Sequence, residues 1–185
     1  MSSILVIAEH INGKIAKISQ EILGAGRAIK SEAGGTLKAV VLSDGNADLA
    51  SALNLEGVDE VISIDVGSAH FDAAAYEDEV LALCKEEQPS LVLMGHTANG
   101  LACAGSLAAR VGAGFASDVI ALRFDDSGVI ATRSAHAGKV NLDLAFPGKA
   151  AVVLTCRGAT FPAADETGSA QITIRAASST GATTE

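Results

Sequence analysis

At 185 residues the chain suits one domain, of a size that buries roughly 70% of its unfolded surface on folding. Its 22 acidic residues against 13 basic ones give a formal net charge of -9, which excludes duplex or single-stranded nucleic acid and anionic membrane as partners, because those need a basic groove that releases counterions. With 49% hydrophobic residues, 19 glycines, no tryptophan and 3% aromatics, the interior reads as a parallel sheet clad in helices, and large aromatic binding platforms are not expected.

Residues Ile4 to Ala8 (ILVIA) are apolar and β-branched without alternation, as in a strand buried on both faces. After the turn HINGK, the segment from Ile15 to Ala33 places Ile15, Ile18, Ile22, Ala25 and Ile29 on one helical stripe and closes at Gly34-Gly35. Gly24 and Gly26 weaken that helix but let it lie close to a sheet. Leu37 to Leu42, a short helix from about Asn46 to Leu53, and Glu60 to Ile64 extend the order to βαβαβ, which makes the strands parallel with right-handed crossovers. Asp72 caps a helix on which Ala73, Tyr76, Val80 and Cys84 align, and Gln88-Pro89 stops it. Leu91 to Met94 supplies a fourth parallel strand.

The turn GHTANG, Gly95 to Gly100, then opens a helix of small residues with Thr97 or Asn99 as its cap and Leu101, Gly105, Ala108 and Gly112 expected toward the sheet. Beyond Gly114 three β-like runs, Phe115 to Phe124, Val129 to Ser134 and Ala150 to Cys156, read as a fifth strand and an antiparallel extension at the sheet edge. From Pro162 onward Ala, Ser, Thr and Gly dominate, and the last ten residues hold no Leu, Ile, Val or Phe. The domain is therefore placed at residues 1–162, with 163–185 a flexible tail or the start of a linker. The expected fold is α/β: a three-layer α/β/α Rossmann-like arrangement of the adenine-nucleotide-hydrolase type, mostly parallel, with an antiparallel edge extension.

Gly95, Thr97, Asn99 and Gly100 form the candidate cofactor-binding turn. Glycines admit a close approach of backbone, Thr97 and Asn99 bring donors, and a helix N-terminus at the carboxyl end of a parallel strand favours an anion. The turn lacks a P-loop ending and a GxGxxG, so a vestigial phosphate turn that chiefly joins strand to helix is the expectation. Glu9 beside His10 lacks a nucleophile, and neighbours on an extended chain face opposite ways. Cys84, Cys103 and Cys156 form neither a CxxC pair nor a disulfide framework and read as buried free thiols. His10, His70, His96 and His136 are widely spaced without a carboxylate pattern, so no metal is expected. The acidic clusters Glu77 to Glu79, Glu86-Glu87 and Asp125-Asp126 read as solvated faces. In SAHAGK, His136 with Arg133 and Lys139 forms a small basic patch, expected to make a local surface pair, a bridge to a partner chain being the alternative. No catalytic constellation and no GxSxG elbow stand out, and the chain is not expected to be an enzyme. The first ten residues carry no basic n-region and no stretch approaches 18 apolar residues, so a soluble cytoplasmic chain is expected.

Four segments together, ILVIAEHINGKI, LMGHTANGLACAGSLAARVGAGFASDV, RSAHAGKV and CRGATF, resemble the N-terminal domain of the electron transfer flavoprotein alpha subunit over about residues 3 to 162. The likeness rests on LVIAEH at the start, a T-x-x-G turn at Thr97 to Gly100, AARVG, Ser117-Asp118, Arg133 with Ala137-Gly138, and Arg157 to Phe161. Leu101, Gly105-Ser106, Ser134 and Lys139 depart from the family pattern. The resemblance implies a heterodimer with a beta subunit that takes electrons from dehydrogenases on FAD and passes them to a quinone oxidoreductase or another acceptor, in fatty acid β-oxidation or another pathway. It also implies that FAD is held mainly by a C-terminal alpha domain absent from this sequence, that AMP sits in the beta subunit, and that this chain alone carries no cofactor. The competing reading is a stand-alone adenine-nucleotide-binding module similar to universal stress proteins, with the Gly95–Gly100 turn gripping a phosphate.

Overall fold

A computed structural model describes residues 3–178. In chain order the elements are β1 (Ser3–Ala8), the two-residue strands β2 (His10–Ile11) and β3 (Lys14–Ile15), α1 (Lys17–Ala33), β4 (Thr36–Ser43), α2 (Ala47–Ala52), β5 (Glu60–Asp65), α3 (Ala73–Glu87) and β6 (Leu91–Gly95). They continue with α4 (Ala98–Val111), β7 (Gly114–Asp125), β8 (Gly128–Ala135), β9 (Val140–Leu144), β10 (Val152–Cys156) and β11 (Gln171–Ala176). Nine strands make one sheet in the order β11-β5-β4-β1-β6-β10-β7-β8-β9, parallel except where β8 and β9 fold back on β7 as a meander.

The side-chain alternation of the strands divides the interior in two. On β1, Ile4, Val6 and Ala8 face a core shared with Ile22, Leu23 and Ile29 of α1 and Leu49 of α2. Leu5 and Ile7 face the other core, with Tyr76, Val80 and Cys84 of α3 and Cys103, Ala104 and Leu107 of α4. Both faces of the central strands are thus buried, which is why they read as unbroken apolar runs. The outcome is the three-layer α/β/α Rossmann-like arrangement, mostly parallel, with the antiparallel extension at one edge.

Several local expectations are corrected. Ile15 belongs to β3 rather than to α1: Asn12 and Gly13, at φ 51 and 73, turn the chain into the β2–β3 hairpin, as an Asn-Gly pair favours. Gly26 does serve helix-to-sheet packing, since an added Cβ would lie 2.8 Å from Leu37 Cδ1, but Gly24 faces the carbonyl oxygen of Pro162, which a Cβ would approach to 1.9 Å. The buried face of α4 is Gly100, Cys103, Ala104, Leu107 and Ala108, at the i, i+3, i+4, i+7 spacing, so of the expected stripe only Ala108 turns inward and Leu101 is exposed.

The run at Ala150 to Cys156 is not an edge extension. As β10 it enters between β6 and β7, parallel to both and buried along its whole length. The region from 163 is no simple tail either, because β11 pairs parallel with β5 and forms the sheet's other edge. Thr173 bonds Glu60 of β5 and Ser178 bonds Glu79 of α3, anchoring a segment whose Ile172 and Ile174 stay exposed. Residues 179–185 of the expected tail lie outside the described residues.

Candidate functional site

The carboxyl ends of β1, β6 and β10 and the parallel part of β7 meet along one side of the sheet, where ligands of open α/β folds collect. Thr97 is the N-cap of α4: its hydroxyl oxygen accepts the Gly100 N–H at 3.0 Å and its O–H donates to Glu9 Oε1 at 2.7 Å. One of the free N–H groups of the helix terminus, that of Gly100, is thereby capped within the protein. Gly100 is required by packing, since a Cβ there would lie 2.0 Å from the Gly95 carbonyl oxygen, and one at Gly95 would lie 2.8 Å from Glu9 Oε1. Asn99 is inside the helix rather than its cap, and its carbonyl accepts the Cys103 thiol. The crevice among Glu9, Tyr76, Asn99 and Gly100 has a volume of about 10 Å³, no more than one water needs.

Burial pushes the Glu9 carboxyl above its ordinary value, with the Thr97 hydrogen bond acting against that rise. Burial likewise pushes Tyr76, whose hydroxyl donates to the Leu42 carbonyl, up to about 12. His10 bonds the same carbonyl through Nε2. Glu9 and His10 therefore diverge onto different partners and do not act as an acid–base pair.

Two strands over, on β7, Asp118 organises a second cluster. It sits at φ 61, next to an irregularity in the β7–β10 register. Its backbone N–H reaches Thr155 Oγ1 at 3.3 Å, and its carboxylate receives the Arg157 fork, Nε to Oδ1 at 2.7 Å and Nη2 to Oδ2 at 2.6 Å. His96 Nδ1 lies 2.9 Å from Thr155 Oγ1 and its Nε2 3.8 Å from Asp118 Oδ1. The Arg157 hydrogen bonds hold the Asp118 carboxyl below the usual carboxylate range. Asp118, Arg133, His136, Leu142, Leu144 and Arg157 line an open cavity of about 790 Å³ under the β8–β9 hairpin.

Arg133 and His136 of the SAHAGK patch are thus part of a larger concavity, and no ion pair of the patch with a carboxylate is found within 4.0 Å among the described residues. The Asp118–Arg157 pair has no local sequence signal, because its members are 39 positions apart. His70 stands on an exposed loop and lines neither cavity. The three cysteines are buried free thiols, and desolvation pushes Cys84 and Cys103 to about 11 and Cys156 to about 12, which makes them poor nucleophiles. Among the described residues no group of three or more His, Cys, Asp or Glu is placed to hold a metal ion, and no helix is long and apolar enough to cross a membrane.

Residues 4–180 match the model of the electron transfer flavoprotein domain. The chain is similar to the electron transfer flavoprotein subunit alpha of Methylophilus methylotrophus, 37% identical over 169 residues that cover 91% of this chain and 53% of that protein. It is similar also to the subunits of the same name from Clostridium acetobutylicum, 30% identical over 73% of this chain and 41% of that protein, and Mycobacterium tuberculosis, 30% identical over 86% and 48%. The chain spans about half the length of these curated relatives. A match over nearly every described residue, with the Thr97 turn, Asp118, Arg133 and Arg157 all inside it, means that the chain belongs to the electron transfer flavoprotein family, as a domain of the alpha-subunit type.

Proposed function

We propose that this domain is a scaffold within an electron carrier: it pairs with a beta subunit, and the carrier accepts electrons from dehydrogenases on FAD and delivers them to a quinone oxidoreductase or another acceptor. FAD is held outside the residues described here. The observation that carries this reading is the family match over residues 4–180 combined with a strand-to-helix turn closed by the protein's own groups. Gly95, Thr97, Asn99 and Gly100, the candidate phosphate turn, act in this reading as a packing junction whose anion-friendly helix terminus is served by Thr97. A universal-stress-protein-like nucleotide module is not favoured, because the crevice at that turn has room for about a single water.

The domain supplies no chemical step of its own in this account. Its thiols are masked by burial, and Glu9 and His10 are tied to structural partners. Co-expression with a cognate beta subunit tests the reading: the two chains are expected to purify together, and failure to associate at micromolar concentration would contradict it.

A further inference from the structure

The sequence contains six arginines. Five make an ion pair with a carboxylate: Arg27, Arg110, Arg123, Arg157 and Arg175. Arg133 is the sixth, half-buried in the wall of the 790 Å³ cavity; it makes no ion pair within 4.0 Å among the described residues, although its charge reaches Asp118 and helps hold that carboxyl down. In a chain where acidic residues outnumber basic ones 22 to 13, a partly desolvated guanidinium with no carboxylate in direct contact is the exception. Across the cavity Arg157 spends Nε and Nη2 on Asp118, leaving Nη1 without an acceptor among the described residues. Asp118 is thus neutralised by Arg157, and Arg133 remains as net positive charge, with the His136 ring nearby on the hairpin turn. His136 and Ala137 hold φ values of 51 and 54 in that turn, a conformation that non-glycine residues rarely adopt.

We propose that this cavity binds a small aliphatic phosphate monoester, with the phosphoryl group between Arg133 and the free edge of Arg157. A phosphoryl group offers three terminal oxygens to the donors of Arg133, Arg157 and His136, more than one carboxylate can serve. Leu142 and Leu144 line the cavity and provide an apolar wall for the carbon chain of the ester. No Phe, Tyr or Trp lines it, so it lacks the large aromatic platform a nucleobase stacks on. The site adjoins the Gly95–Gly100 turn through His96, 3.8 Å from Asp118, but Gly95, Thr97, Asn99 and Gly100 do not line it, and the inference does not rest on the carrier reading.

Isothermal titration of the full chain at low ionic strength with glycerol 3-phosphate tests it, with inorganic phosphate and glycerol as the other arms. Saturable one-site binding of the ester is expected, with weaker binding of inorganic phosphate and none of glycerol. Arg133→Ala should weaken the ester by about tenfold or more, the usual worth of a charge-assisted hydrogen bond. Arg123→Ala, which alters a paired arginine on the same meander, should leave binding unchanged. Leu142→Asp, at an exposed position where folding is not at stake, should abolish it. Absence of saturable heat, equal binding by Arg133→Ala, or inorganic phosphate binding as tightly as the ester would overturn the proposal. So would expulsion of the ester when the beta subunit is added, because the cavity would then be a subunit contact.

Discussion

Glu9 and Gly100 show how the turn after β6 is locked. The raised Glu9 carboxyl means that the folded chain holds that proton more tightly than the unfolded chain does. The neutral form's advantage is therefore fully present below the unfolded glutamate value and is lost as pH rises through the folded value. Glu9→Gln keeps an oxygen for the Thr97 hydroxyl while removing the buried charge. In urea unfolding it is expected to be more stable than the parent at neutral pH, with the gap closing on acidification; lower stability at neutral pH would show that the charge itself is needed. Gly100→Ala forces a methyl group against the Gly95 carbonyl, and a loss of about 1–3 kcal/mol or more is expected in the same assay. A neutral result would mean that the glycine serves something other than packing.

β10 and β11 were the elements least legible in the sequence, for opposite reasons. VVLTC carries the unbroken apolar signal of a central strand, yet chain order makes it the last of three β-like runs, and nothing local says that it inserts between β6 and β7. QITIRA alternates, with Ile172 and Ile174 exposed and Thr173 and Arg175 held by Glu60 and Glu86. Its place in the sheet therefore depends on polar partners more than a hundred positions away for Thr173, and composition hides it. The βαβ units from β1 to β6, by contrast, follow from local periodicity and caps, and Asp72 caps α3 as its position suggests. Of the candidate site, the Thr97 cap was readable because capping is local; the Asp118–Arg157–His96 cluster was not, because it is assembled from three strands. Truncation after Pro162 tests the β11 assignment: the shortened chain should lose about 2 kcal/mol or more of unfolding stability, as a ladder of backbone hydrogen bonds and the side-chain bonds to Asn54, Glu60, Glu79 and Glu86 disappear. Unchanged stability would mean that the segment behaves as a tail after all.

Taken whole, the molecule has two filled cores, one to each side of the sheet, and a closed turn where a nucleotide fold would hold its ligand. On the proposed reading, the chain presents surfaces to an electron carrier and the redox group is gripped by protein other than residues 3–178. The measurement that bears most directly on this is the visible flavin absorbance per mole of purified chain, taken alone after saturation with FAD and gel filtration. A colourless protein that remains folded is expected. Stoichiometric flavin retained by the chain alone would contradict it.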